Sequence, residues 1–224
     1  MEDNNLIKTG MNNVFSLIAQ DGSKRLVTKS LVQDIPDGKT INVGSHEYRI
    51  WDPYYSKLAA LLIKGASIPM KKDSLVLYLG AANGTTVSHV SDIVSDGSVF
   101  AVEFSPRAMK DLIRVSSSRM NLIPLLADAR KPESYRNMVT EVDLIYQDVA
   151  QREQAEIAIR NSQMFLKKEG YLVLIIKSRS IDSAKNADEI CINEVAKLRG
   201  LFKIEELLDL EPFHSDHLAV IAQK

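Results

Sequence analysis

The sequence predicts an α/β protein: a seven-stranded, mostly parallel sheet with helices on both faces, preceded by a small antiparallel β domain. Three observations carry this. From residue 74 onward, strand-length apolar runs alternate with amphipathic helical segments, the pattern of a parallel sheet. Tyr171 to Ile176 is almost wholly apolar, as suits a strand buried on both faces. The first fifty residues show short β runs between turn residues and no helical period. The division is drawn at residue 51, giving 1–51 and 52–224.

In the first part, Val14 to Ile18, Arg25 to Thr28 and Glu47 to Trp51 read as strands. Asp21-Gly22, Pro36-Asp37-Gly38 and Val43-Gly44-Ser45 read as the turns between them. A helix follows, with Asp52 as N-cap, Pro53 at its first position, Leu58, Leu61 and Leu62 on its apolar face and Gly65 at its close. Leu75 to Leu79 is then a strand, Gly80 to Gly84 a loop and Val87 to Val94 a helix. Val99 to Glu103 is the next strand. Ser105-Pro106 caps a helix that carries Met109, Leu112 and Ile113. Leu122 to Leu126 and Val142 to Tyr146 are strands. Ala155, Ala158, Ile159, Ser162, Phe165 and Leu166 share a helix face that Gly170 stops. After Tyr171 to Ile176 comes a helix to Leu198, ended at Gly200. Phe202 to Leu207 and His217 to Ile221 close the chain as a hairpin with one antiparallel strand.

The 224 residues suffice for one good-sized core, and 45% apolar with 25% charged residues is ordinary for a globular protein. No apolar run approaches the roughly 18 residues that cross a bilayer. The polar, acidic segment from Met1 to Gly10 does not read as a secretory leader. A single cysteine, Cys191, excludes an internal disulfide framework and points to a reducing, cytoplasmic setting. The net charge is −1 and the pI about 6.4. A protein that grips RNA unaided carries a basic excess, so an RNA substrate here calls for a local patch or for partners.

Candidate ligand groups stand at four successive strand ends, where open α/β sheets bind ligands. The loop Gly80-Ala81-Ala82-Asn83-Gly84-Thr85-Thr86 lets a ligand approach the main chain and opens a helix N-terminus that favours anions. It departs from the dinucleotide G-x-G-x-x-G, since Ala82 holds the second glycine's place. A loop of this kind suits the methionine moiety of S-adenosylmethionine. Glu103 lies 23 residues after Gly80, the spacing of a carboxylate that binds ribose hydroxyls. Asp128-Ala129 follows the third strand, where an acid can accept an adenine amine, and Asp148-Val149-Ala150-Gln151 follows the fourth. Singly, Glu103 and Asp128 read equally well as capping or solvated acids, and Asn83-Gly84 as a tight turn. The joint spacing is the informative feature.

Longer strings carry a family resemblance. Tyr48 to Ala59, Tyr78 to Val94, Ala101 to Arg107, Asp143 to Gln154 and Ile176 to Asp182 resemble fibrillarin, and the likeness spans nearly the whole chain. The Gly/Arg-rich N-terminal extension of the eukaryotic proteins is absent, so the resemblance is to the archaeal form. It implies a Rossmann-like S-adenosylmethionine methyltransferase fold and 2′-O-methylation of ribose in ribosomal and transfer RNA. Box C/D guide RNA directs the reaction within a ribonucleoprotein, alongside a Nop-domain scaffold and a kink-turn-binding ribosomal protein. The resemblance puts cofactor contacts on Thr85, Thr86, Glu103, Phe104, Asp128, Ala129 and Asp148 to Gln151, beside the Gly80, Ala81 and Gly84 of the loop.

Rossmann-like ribose methyltransferases use a Lys-Asp-Lys-Glu set, and fibrillarins resemble them with His last. The matching residues are Lys57, Asp148, Lys177 and His217. Methyl transfer is an in-line displacement in which positioning contributes most and a base takes the hydroxyl proton. Lys177, directly after an apolar strand, is the candidate base, oriented by Asp148. Lys57 would position the hydroxyl or its phosphate, and His217 would hold the ribose or orient Lys177. Bland readings stand beside these: a solvated Lys57, a plain Lys177–Asp148 ion pair, a strand histidine bonded to main chain. Arg107 and Arg179 are candidate RNA contacts or solvated arginines. His46 and His89 receive no catalytic role. His214 and His217 form H-x-x-H without a further ligand cluster, so no metal is expected. The competing functions are a non-catalytic particle component, a nicotinamide oxidoreductase and a protein-glutamine methyltransferase.

Overall fold

The computed structural model describes residues 5–19, 22–33 and 40–224. Two sheets form. The first has strands β1 (Leu6–Lys8), β2 (Val14–Ile18), β3 (Lys24–Lys29), β4 (Thr40–Val43) and β5 (His46–Ile50), all antiparallel, in the order β1-β2-β3-β5-β4. β1 and β4 were not anticipated. Both are short, at three and four residues: β1 lacks the alternation that marks a half-buried strand, and β4 alternates over too few residues to stand out. Gly44 turns between β4 and β5 with φ +59°, as expected for that position. The expected turn at Pro36-Asp37-Gly38 lies outside the described residues, as does Asp21.

The second sheet has seven strands: β6 (Leu75–Leu79), β7 (Ser98–Glu103), β8 (Leu122–Leu126), β9 (Val142–Gln147), β10 (Leu166–Lys177), β11 (Lys203–Asp209) and β12 (His217–Gln223). Their order is β11-β12-β10-β9-β6-β7-β8. β12 alone runs against its neighbours, which makes the closing pair an antiparallel hairpin. Among the described residues six α-helices accompany the strands: α1 (Lys57–Ile63), α2 (Thr85–Ile93), α3 (Pro106–Ser116), α4 (Gln154–Phe165), α5 (Ser178–Ile181) and α6 (Ala187–Leu198). Alternation along β6 separates two cores. Val76 and Tyr78 face α1, α2 and the first sheet through Leu58, Val90, Val14, Leu26 and Trp51. Leu77 and Leu79 face α4 and α6 through Ile157, Ala158 and Val195. Among the described residues, no helix is long and apolar enough to cross a membrane.

Two boundaries differ from expectation for identifiable reasons. Asp52 does not start α1. Its side chain caps a separate turn, accepting from Tyr54 N at 2.9 Å, while its carbonyl accepts from Tyr55 and Ser56. The N-cap is Ser56, whose buried Oγ accepts from Ala59 N and from the Trp51 indole N–H at 2.9 Å. The Asp-Pro signal was sound for a turn, and the tertiary contact to Trp51 moved the helix start four residues on. At the other end, α4 stops at Phe165, and Leu166 already pairs with Val142 of β9. A bulge separates Leu166 from Tyr171, so Gly170 lies inside β10 and does not stop the helix.

Candidate active site

The chain direction across the sheet reverses between β6 and β9, and their carboxyl ends, Leu79 and Gln147, are paired in register. Open α/β sheets place their crevice at such a point. Gly80 and Asp148 are the next residues on each side. Gly80 has φ +86°, and a Cβ there would meet Asp148 O at 2.8 Å, so only glycine allows the two strand ends this close. Gly84, φ +97°, is the N-cap of the nine-residue α2 and has no side chain to cap it, although Thr85 N–H donates to Asn83 Oδ1 at 3.4 Å.

The acids at the next strand ends are already engaged. Glu103 Oε2 accepts from Ala82 N at 2.8 Å and Oε1 from Ser105 N at 2.7 Å, which ties the glycine loop to the end of β7. Phe104, beside it, is exposed. Asp128 is gripped by the Arg130 guanidinium through contacts of 2.7 to 3.0 Å. That hydrogen bonding holds the Asp128 carboxyl below the usual carboxylate range. Ala129 is buried, with its carbonyl bonded to Asn161.

Asp148 is the hub. Its Oδ2 accepts from Lys57 Nζ at 3.1 Å. Lys177 Nζ lies 2.8 Å from Oδ1 as an ion pair, and directs its hydrogen bond to the main-chain oxygen of Asp148 at 2.9 Å. All three side chains are largely shielded, at 16 to 18% exposure, so the charges act in a medium less polar than water. His217 pairs with Lys177 across the β10–β12 ladder. Its Nδ1–H donates to Ser215 O at 2.6 Å, leaving the Nε2 lone pair free in the neutral ring. Burial, first, and the Lys57 charge lower the His217 pKa, so the ring is neutral at physiological pH. His214 donates Nε2–H to Pro53 O at 2.8 Å, bracing the turn before α1. Arg107 is exposed at the start of α3, and Arg179 pairs with Asp216 at 3.1 Å.

The structure thus brings Lys57, Asp148 and Lys177 into direct contact with His217 adjacent, and sets Gly80, Ala81, Gly84, Phe104, Asp128, Ala129, Val149, Ala150 and Gln151 on the loops that follow β6, β7, β8 and β9, with Glu103 ending β7 and Thr85 and Thr86 opening α2. It also adds residues that the sequence did not mark. The Ser56 hydroxyl, one residue before Lys57, accepts from Thr86 Oγ1 at 3.1 Å and so links α1 to the glycine loop's helix. Gln154 is fully buried against Lys177. A lone buried Ser or Gln has no periodic signature that reveals its partner.

The comparisons identify the chain's relatives. The family model described as Fibrillarin matches residues 6–224. A fibrillarin-like rRNA/tRNA 2′-O-methyltransferase of Methanosarcina barkeri is 52% identical over 97% of this chain and 98% of its own. The crystal structure of Aeropyrum pernix fibrillarin with natively bound S-adenosyl-L-methionine is 42% identical, covers 97% of each chain and superposes with a TM-score of 0.89. A fibrillarin/Nop5p complex contains a chain 43% identical, over 95% of this chain and 97% of that one, with a TM-score of 0.86. A Rossmann-like sheet, a small antiparallel sheet before it and likeness over essentially the full length together assign the chain: it belongs to the fibrillarin family.

Proposed function

We propose that this chain transfers a methyl group from S-adenosylmethionine to a ribose 2′-hydroxyl of ribosomal and transfer RNA. The observation that carries the reading is the contact of Lys57 and Lys177 with one carboxylate, Asp148, directly beside the Gly80 cradle. The crevice suits the cofactor chemically. Gly80 leaves room against the main chain, the glycine-capped start of α2 favours a carboxylate, and Asp128 is held ionised as an acceptor for an amine. Each oxygen of Glu103 accepts one main-chain N–H and keeps a lone pair for a ribose diol. When bound, S-adenosylmethionine supplies an electrophilic methyl group on a sulfonium that departs as a neutral thioether.

The residues then divide the work. Lys177 takes the proton of the attacking hydroxyl, after giving one of its own to solvent. Asp148 holds both amines in place, and positioning of this kind is the largest lever for a displacement between two bound groups. Lys57 presents a cation to the ribose or its phosphate. His217, neutral and with Nε2 unencumbered, accepts a hydrogen bond from a ribose hydroxyl. The net charge of −1 supports delegation of RNA binding. A box C/D guide RNA selects the nucleotide, and a Nop-domain scaffold and a kink-turn-binding ribosomal protein hold the assembly. The Nop5p seen with a relative fits the scaffold role. The lone Cys191 suits a cytoplasmic setting.

The test is transfer of labelled methyl from S-adenosylmethionine to a guide-matched RNA, with and without guide RNA and both partners. The expected result is transfer only in the complete mixture, abolished by a 2′-deoxy target. Transfer that survives the 2′-deoxy substitution, or none despite cofactor binding, would refute ribose methylation.

A further inference from the structure

The parallel ladder between β9 and β10 ends at Gln147 and Leu174. Beyond it β9 turns away into the 148–151 loop, while β10 runs on to Lys177. Main-chain groups there have lost their partner strand, and buried main-chain groups need partners. At Lys177 the side chain of Gln154 takes the strand's place. Its Oε1 accepts from Lys177 N–H at 2.8 Å and its Nε2 donates to Lys177 O at 3.2 Å. One carboxamide therefore pairs with both main-chain groups of one residue, as a peptide unit would. The same Nε2 donates to Gln151 O at 2.8 Å, and Gln147 Nε2 donates to the carbonyl of Gln154 at 2.7 Å. Gln154 is fully buried, so no water substitutes for these bonds.

We propose that Gln154 is a positioning residue for the reaction: its carboxamide locks the main chain of Lys177 to the 148–151 loop and thereby holds the Lys177 amine on Asp148. The inference rests on the methyl-transfer reading for its functional meaning, and its geometry can be tested apart from it. A lysine amine sits on a flexible four-carbon stem, so its place is set by where its main chain is anchored. A displacement of about 1 Å at a reacting group costs up to ~100-fold in rate.

Two variants of the full chain test this. Gln154→Leu keeps the size and removes both bonding atoms. Gln154→Glu keeps the acceptor, and donates to the carbonyls of Lys177 and Gln151 only while its carboxyl is protonated. The first measurement is lysine acylation by acetic anhydride, resolved by residue in a mass spectrometer and normalised to exposed Lys110. Lys224, whose amine is held by the carbonyls of Ser162 near the far end of α4 and of Leu166 at the start of β10, is the control for general unfolding. Gln154→Leu is expected to speed acylation of Lys177 severalfold and leave Lys224 unchanged. The second measurement is single-turnover methylation in the assembled particle. Gln154→Leu is expected to slow it by about 10- to 100-fold. Gln154→Glu is expected to approach wild type as pH falls and to lose ground to it as pH rises, a crossover that loss of packing alone does not produce. Equal acylation of Lys177 in wild type and Gln154→Leu overturns the proposal, as does acceleration of Lys177 and Lys224 together, or a Gln154→Glu profile parallel to wild type. Selective release of Lys177 in a chain whose wild type transfers no methyl would sustain the positioning role and sink the methyl-transfer reading instead.

Discussion

Replacing Asp92 by alanine should destabilise the protein as much as truncating a large fully buried apolar side chain. The side chain is fully buried on α2. Its Oδ1 accepts from Arg119 at 2.6 Å and from Leu31 N at 3.0 Å, and its Oδ2 from Arg49 at 2.6 Å and Thr28 Oγ1 at 3.0 Å. Both guanidiniums are themselves buried, with side-chain exposures of 10% and 2%. Desolvation is the leading influence on Arg49 and lowers its pKa, so that charge depends on Asp92 for compensation. Breaking one buried pair by removing a partner costs about 3–5 kcal/mol, because the remaining charge stays buried. Here one carboxylate serves two arginines, which argues for the upper part of that range, about 4–5 kcal/mol. For a chain of this size that lowers Tm by about 8–20 °C. The assay is urea denaturation followed by far-ultraviolet circular dichroism and by the fluorescence of Trp51, the single tryptophan, which stacks on His89 at 4.7 Å beside the network. Coincident transitions would license one free energy for the whole chain. A loss under about 1 kcal/mol would refute the reasoning, since it would mean that water reaches the arginines once the acid is gone.

Three further outcomes are expected. Lys57→Met and Lys177→Met should each cut single-turnover methylation by about 100-fold or more, the range for a positioned proton-transfer or electrostatic group, while cofactor affinity by calorimetry changes little; near-normal rates for Lys177→Met would remove it as the base. Gly80→Ala forces a left-handed φ of +86° on a residue whose Cβ lies 2.8 Å from Asp148 O, so a loss of about 1–2 kcal/mol in stability should accompany weaker S-adenosylmethionine binding in the same titration. His89 is buried, and desolvation followed by the charges of Arg49 and Arg119 sets its pKa well below the ordinary histidine value. The unfolded chain therefore binds the extra proton first, and stability should fall as pH drops below about 6.5, by up to ~1.4 kcal/mol per pH unit. Denaturation of His89→Gln at a series of pH values should show a flatter profile, and identical slopes would dismiss His89 as the source.

The chemistry-bearing positions were legible because they sit at strand ends, where periodicity stops and polar residues begin. Glu103 was locatable from its spacing after the glycine loop, and Asp148 from the end of the fourth strand together with the family motif. Less legible was what those acids touch. Asp128 looked like a free acceptor and turns out to be clasped by Arg130, two residues on. The Asp52-Pro53 pair looked like a helix start, and the helix begins instead at Ser56, whose hydroxyl is drawn inward by Trp51 and Thr86. His89 drew no role from its position in a helix, yet its Nδ1–H donates to Thr28, which in turn donates to Asp92.

By itself the sequence determined the layer architecture, the closing hairpin with one antiparallel strand, the glycine loop and the family, because hydrophobic period, turn residues and long motif strings are local properties of the chain. Only the tertiary structure decided which side chains meet. Lys57 and Asp148 stand 91 positions apart along the chain yet touch at 3.1 Å. Gln154 reaches Lys177 across 23 positions, and Arg49 reaches Asp92 across 43. Such contacts arise from the sheet order and from burial, which make unpaired polar groups costly enough to select their partners at long range, and no spacing along the chain encodes that cost.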